Sequence, residues 1–439
     1  MTGACRPGVI ILLLGMLSFC APLRCRDGLP VEQASFWTGR LSDPERIVMT
    51  APEISAFNES LVTAGLICSF SPSGVETVST TRLQRFFSAA LFRIEGKRLC
   101  LRNGSPSDHG LPARLKKLMG KPDGTFPVAY GIAAAFTNVR LLPSSEGLYR
   151  AGTSFVDLLQ NDGFDRGTPL RILQNSIDGK WFFVETPASR GWVSADHVAL
   201  CSRDELAAFF ARPFAVFINV RNRLTADAEG AGPLCVVRMG TRLPLDGTAG
   251  SGVVRVVLPV RTGRGTLSLR TAYAPSGTVS EGFLPYTPGV VIRQAMKFLD
   301  EPYGWGDLNE RQDCSGFIQD VFATVGVLLP RDSSDQAGTG TQACDLRAGT
   351  TAEERILLLK KNAVEGVTLL GMPGHMMLYL GMDGDVPYVI HELLACRENN
   401  GGKIEIRIVN RAVVSDLSLG KGTSAGTYLE RLTSARVIR

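Results

Sequence analysis

The sequence predicts an α+β chain of several modules: a helical N-terminal segment, two small antiparallel β-barrels, and a C-terminal domain of amphipathic helices and alternating strands. Three observations carry this prediction. A chain of 439 residues is too long for one ordinary hydrophobic core. Its middle is filled by short β-prone runs separated by Gly- and Asp-bearing turns, and its last third changes to longer helical and strand periodicities. With 44% hydrophobic residues, 20% charged residues and 47 glycines, the composition is that of a turn-rich globular protein. The net charge of +5 is spread along the chain without a basic tract. That argues against nucleic acid as a partner, because a polyanion demands a concentrated basic face.

Residues 1–20 read as an export signal, with Arg6 ahead of an apolar run from Val9 to Leu17 that is too short to span a bilayer. Cleavage after Cys20 places Ser18 and Cys20 at the small-residue positions. The rival reading is lipidation at Cys20, since Leu17-Ser18-Phe19-Cys20 resembles a lipobox, although bulky Phe19 stands where a small residue is wanted. No later run has the length of a membrane helix, so an exported chain without an integral membrane span is expected. Ten cysteines are present, none in a CxxC pair, so neither a zinc site nor a dense disulfide scaffold is indicated, and any disulfide pairing stays open.

Residues 28–118 form the helical segment, with helices expected near Ala51 to Val62, where Ile54, Phe57 and Leu61 share a face, and over Thr81 to Phe92. Residues 119–202 form the first barrel, in which PLRILQ and KWFFVET are bounded by turn-forming stretches. Residues 203–283 repeat the rhythm, though not the letters, in FAVFINV, LCVVRMG and GVVRVVLPV. The last domain, 284–439, opens on Thr287 and Pro288, an N-cap and first-turn pair.

Asp313 is a good N-cap for a second helix carrying Phe317, Ile318, Val321, Phe322 and Val325 on its apolar stripe, which places Cys314 in the first turn. There the unpaired amides and the helix dipole favour a thiolate. The position suits a nucleophile, and it equally suits a small packed residue. Of the four histidines, His375 and His391 fall in strand-like segments joined by the turn MDGDVP. Neighbouring antiparallel strands would set the two imidazoles side by side, the first as base and the second as its orienter. His109 and His197 read as incidental surface residues.

The blocks PYGWG, DCSGF, LPRDSSDQ, PGHMMLYLG and VIH resemble, in this order, the catalytic domain of the NlpC/P60 family of cysteine peptidases. Upstream, TNVRLLPSSEG, FDRGTPLRILQNSIDGKWFFVE and GWVSADHV resemble a bacterial SH3 domain, the second β module resembles another more loosely, and ERIVMTAPEISAFNESLV resembles an N-terminal helical clip of multidomain members. The resemblance implies a papain-like catalytic fold that cuts γ-D-glutamyl bonds to diamino acids such as diaminopimelate in peptidoglycan stem peptides, in the periplasm or cell envelope. It makes Cys314 the nucleophile, His375 the base and His391 the orienting residue, sets Tyr303 beside the oxyanion site, and requires no cofactor or metal. Asp332 and Ser333 match positions that in some members bind the free amino group of the substrate's L-alanine. Read from the residues alone, that stretch is also a solvated polar turn with Arg331 paired to Asp335.

Two departures stand out: a long loop from Gly338 to Gly366 carrying a helical stretch near Ala352 to Lys361, and Met376 and Met377 after the first histidine, which read as core. Two other functions use the same parts. One is a wall-binding protein whose SH3 modules dominate an idle peptidase domain; the other is an amidase or acyltransferase using the same three residues.

Overall fold

A computed structural model describes residues 29–70, 77–121, 125–247, 252–346 and 349–439. Residues 1–20, read from the sequence as an export signal, with Cys20, lie outside them. Among the described residues no helix is long and apolar enough to cross a membrane, and all seven described cysteines are free thiols.

The C-terminal domain is built on a six-stranded antiparallel sheet in the order Thr341–Gln342, Ser434–Val437, Thr368–Met372, His375–Asp383, Val386–Asn400, Lys403–Asp416. The Pro288–Met296 and Cys314–Ala323 helices pack on one face. There Val291, Phe298, Phe317, Ile318 and Phe322 meet Leu378, Leu380, Ile390 and Ala412 from the strands. The alternation that sends these strand residues to one face sends Met377, Tyr379, Val389 and Leu393 to the other, under the Tyr428–Arg431 helix. The Ala352–Asn362 helix, expected from the sequence, covers this second face through fully buried Leu359. Both methionines after His375 are buried in core.

Seven strands between Ala129 and Cys201 form the first barrel, in the order Val198–Cys201, Ala129–Ala133, Pro169–Asn175, Trp181–Glu185, Arg190–Ser194, Thr137–Arg140, Gln160–Phe164. The second β module packs a three-stranded sheet around Phe214–Phe217 against a four-stranded sheet containing Val253–Arg261 and Leu267–Pro275.

The segment 28–118 spreads over two cores. Trp37 and Met49 are buried in the core of the C-terminal domain, with Ile54 and Phe57 packed against it. The Ala51–Thr63 helix is tied there through Asn58, which donates to the Gly326 carbonyl at 2.9 Å and accepts from the Leu328 amide at 2.9 Å. The Thr80–Phe92 and Leu111–Met119 helices instead cover the first barrel, where Phe87 stacks on Trp192 at 5.5 Å between ring centroids. Short helices with one apolar face are stable only where that face is covered, and here two different modules cover them.

Candidate active site

Cys314 opens its helix as expected. Asp313 caps it, accepting from the amides of Ser315 at 3.2 Å and Gly316 at 2.9 Å. Cys314 is 7% exposed, and the backbone amide of Met376, the residue after His375, is close enough to favour its thiolate. The first strand of the histidine pair therefore begins at the head of the cysteine helix.

The two histidines sit on adjacent antiparallel strands, and His375 Nε2 lies 2.6 Å from His391 Nδ1. His391 is fully buried, with its Nε2 3.0 Å from the Ser415 hydroxyl on the next strand. The ring of Tyr428 meets both imidazoles edge-on, at 6.0 and 6.1 Å between centroids. If His375 is to accept a proton at Nδ1, its Nε2–H donates to His391 Nδ1, and His391 donates in turn from Nε2 to Ser415.

The expectation of a lowered cysteine pKa is overturned. Burial, and next the neighbouring Asp313 carboxylate, push the Cys314 thiol up to about 12, outweighing the Met376 and Ser315 amides and Arg331. Burial, and then the positive charge of Arg431, bring His375 down to about 4. His391 is held well below its ordinary value by burial and by His375. The site without substrate thus holds a thiol and a neutral imidazole. A dipole felt at the helix start does not compensate for removing the sulfur from water.

Tyr303 is half-buried beside the cysteine; burial, and then the charges of Asp313 and Cys314, hold its hydroxyl well above its usual pKa. Its amide donates to the Asn410 carbonyl at 3.2 Å, which pins this loop to the last long strand of the sheet. Asp332 is exposed at the start of the short Ser333–Gln336 helix, and Ser333 is half-buried. Asp335, half-buried, has its pKa raised by burial and by Asp332.

Arg331 does not pair with Asp335. It is buried, donating to Asp162 at 2.6 Å, to Asp313 at 2.8 Å, to Asp307 at 3.3 Å and to the Ser315 hydroxyl at 2.8 Å. Asp162 belongs to the first barrel. From the second β module, Arg238 reaches Asp165 at 2.8 Å and Asp307 at 3.0 Å. Three modules therefore meet in one buried charge cluster behind the cysteine. Its carboxylates outnumber the two guanidiniums, and burial outweighs the attraction of Arg331 and Arg238 to push Asp307 up to about 7. Burial works against ionised Asp313 as well, but Arg331 and the Gly316 and Gly306 amides hold its pKa below the usual value. The first barrel also touches the loop before Cys314 directly. Trp305 donates from its ring to the Asp157 carbonyl at 3.1 Å, and Gln160 donates to the Gly306 carbonyl at 2.8 Å.

Sequence reasoning missed Ser415, Tyr428, the Arg331 cluster and Glu392. The last is fully buried next to His391, neither carboxyl oxygen has a hydrogen-bond partner, and burial holds its pKa well above the ordinary range. A glutamate in the mostly apolar stretch from Val389 to Ala395, beside His391, was the one signal available for it.

Residues 300–402 match the NlpC/P60 family. The chain carries an NlpC/P60 domain. Residues 148–194 match an SH3 domain of the SH3b1 type, inside the first barrel. The chain is 40% identical over 62 residues to a γ-D-glutamyl-L-lysine dipeptidyl-peptidase of Bacillus subtilis, covering 13% of this chain and 21% of that protein. It is 42% identical over 50 residues to the bifunctional muramidase/DL-endopeptidase CwlT of the same organism, covering 11% and 15%. A probable endopeptidase of Corynebacterium glutamicum is 33% identical over 87 residues, covering 18% and 41%. The match thus spans less than half the length of each of these relatives. The fold is similar to that of an NlpC/P60 endopeptidase from Photobacterium damselae subsp. piscicida, with a TM-score of 0.74 at 18% identity, covering 92% of this chain and 96% of that one. An NlpC/P60 family protein from Bacillus cereus superimposes with a TM-score of 0.50 at 18% identity, covering 70% and 99%. In this NlpC/P60 domain, Cys314, His375 and His391 all fall within the matched residues, and Ser415 and Tyr428 lie beyond them.

Proposed function

We propose that the protein is an exported cysteine endopeptidase that hydrolyses the γ-D-glutamyl bond to a diamino acid in peptidoglycan stem peptides, acting in the periplasm or cell envelope. The observation that carries this is the 2.6 Å contact between His375, the first residue of its strand, and His391 on the neighbouring antiparallel strand, inside the NlpC/P60 match. The names of the relatives supply the substrate class.

In this reaction His375 takes the thiol proton as the Cys314 sulfur attacks the γ-carbonyl carbon. The tetrahedral oxyanion forms beside the Cys314 amide and Tyr303. His375 then gives its proton to the leaving amine, the C–N bond breaks and a thioester remains. Water, deprotonated by His375, attacks the thioester and releases the γ-D-glutamyl acid with the thiol restored. Throughout, His391 accepts from His375 Nε2 and holds its ring. Exposed Asp332, with Ser333, would receive the ammonium of a free N-terminal L-Ala, which favours released peptides over amide-linked ones.

The test is mass spectrometry of L-Ala-γ-D-Glu-diaminopimelate and its N-acylated form after incubation with the protein and with Cys314→Ala. Cleavage before diaminopimelate, lost in the variant, is expected. Cleavage by the variant would remove the proposal, and equal turnover of the two peptides would remove the role of Asp332.

A further inference from the structure

Arg431 is a cation beside the histidine pair with no assigned work. It ends the Tyr428–Arg431 helix and is half-buried, its guanidinium carbon 5.4 Å from the centre of the Tyr428 ring. Through that ring it stands behind both imidazoles, and its charge reaches His375. Among the described residues no carboxylate forms an ion pair with it. The neighbouring Glu430 is turned back onto the Thr427 amide and hydroxyl, at 2.7 and 2.9 Å. The short helix is also held in place. Arg355, from the helix of the long inserted loop, donates to the Leu429 and Leu432 carbonyls at 3.2 and 2.9 Å.

A fixed, half-desolvated guanidinium lacking its counterion is a carboxylate receptor, because desolvation strengthens the attraction and the planar fork matches two carboxylate oxygens. Its position says which carboxylate. Arg431 and His375 meet the same Tyr428 ring, and His375 is the group that must reach the leaving amine.

We propose that Arg431 binds a carboxylate of the diamino acid on the leaving-group side of the scissile bond. This rests on the endopeptidase reading above and adds to it a preference for acidic over amidated diamino acids.

The experiment compares kcat/KM on three peptides for the wild type, Arg431→Gln and Arg431→Lys. The peptides are L-Ala-γ-D-Glu-diaminopimelate, the same with both diaminopimelate carboxyls amidated, and the same with the D-Glu α-carboxyl amidated. The wild type is expected to prefer the free acid over the diaminopimelate amide by about 10- to 100-fold, the range for a charge-assisted contact. Arg431→Gln brings that ratio toward one, and Arg431→Lys recovers part of it. Because the ratio is taken within each variant, partial misfolding does not affect it.

A uniform loss with the ratio preserved would mean that Arg431 only supports Tyr428, and would overturn the inference alone. Collapse of the D-Glu amide ratio instead would overturn the leaving-group placement. A wild type that cleaves none of the peptides would sink the endopeptidase reading and this inference with it.

Discussion

Replacing Arg331 by Met removes one cation from a site where Asp162, Asp307 and Asp313 accept from it at 2.6, 3.3 and 2.8 Å and all four side chains are at most 11% exposed. Methionine keeps much of the volume, so the dominant effect is electrostatic: Asp162 and Asp313 lose the cation they share, and Asp307 keeps only Arg238, at 3.0 Å. Breaking a buried pair by removing one partner costs about 3–5 kcal/mol. The pH dependence follows from the direction of the shift at Asp313, whose pKa in the folded protein lies below 3.8. With Arg331 present, that group adds stability above 3.8 which is lost as pH falls through its folded value. Without Arg331, burial raises its pKa, so the folded variant holds protons that the unfolded chain has released, and the variant loses stability as pH rises. The gap between wild type and Arg331→Met is therefore widest near neutrality and narrows toward about pH 4. Guanidinium unfolding at about pH 8, 6 and 4, followed by tryptophan fluorescence, measures it. A gap below about 1 kcal/mol, or one that stays constant with pH, would refute the electrostatic account and leave only packing.

Three further outcomes are expected. With Cys314 near 12 against an ordinary 9.0, its thiolate fraction at neutral pH is lower by about a thousandfold. Iodoacetamide labelling of Cys314, read on its peptide by mass spectrometry, should accordingly be slow and rise about tenfold per pH unit between about pH 6 and 10; a rate flat over that range would reveal a preformed thiolate–imidazolium pair. The acid limb of kcat/KM should fall near the His375 value of about 4 rather than near 6.5. Gly316→Ala, favourable in an ordinary helix interior, presses its Cβ into the Asp307 carboxyl group here and should cost about 1–3 kcal/mol together with activity. A variant as stable and as active as the wild type would show that Asp307 can move aside.

Local signals were legible in the sequence. Asp313 and Thr287 start helices where their side chains accept the first free amides, which needs only residues two or three positions away. The alternation around His375 and His391 set both on strands whose pairing followed from a two-residue turn. The second core of the N-terminal segment was not legible, because two amphipathic helices show that a face must be covered and not by what. Nor were the partners of Arg331. Asp162 lies 169 residues away, and no local pattern distinguishes a solvated arginine from one sealed between modules.

The sequence by itself determined that Cys314 opens an amphipathic helix and that His375 and His391 lie on neighbouring antiparallel strands, since these depend on short-range periodicity and on one tight turn. Only the tertiary structure decided their protonation and surroundings. Burial makes the thiol hard to ionise, Ser415 and Tyr428 enclose the histidines from the adjoining strand and a later helix, and the two β modules lock behind the cysteine through Asp162 on Arg331 and Arg238 on Asp307. Desolvation and ion pairing depend on which remote surfaces come together, and that is set by packing rather than by neighbours along the chain.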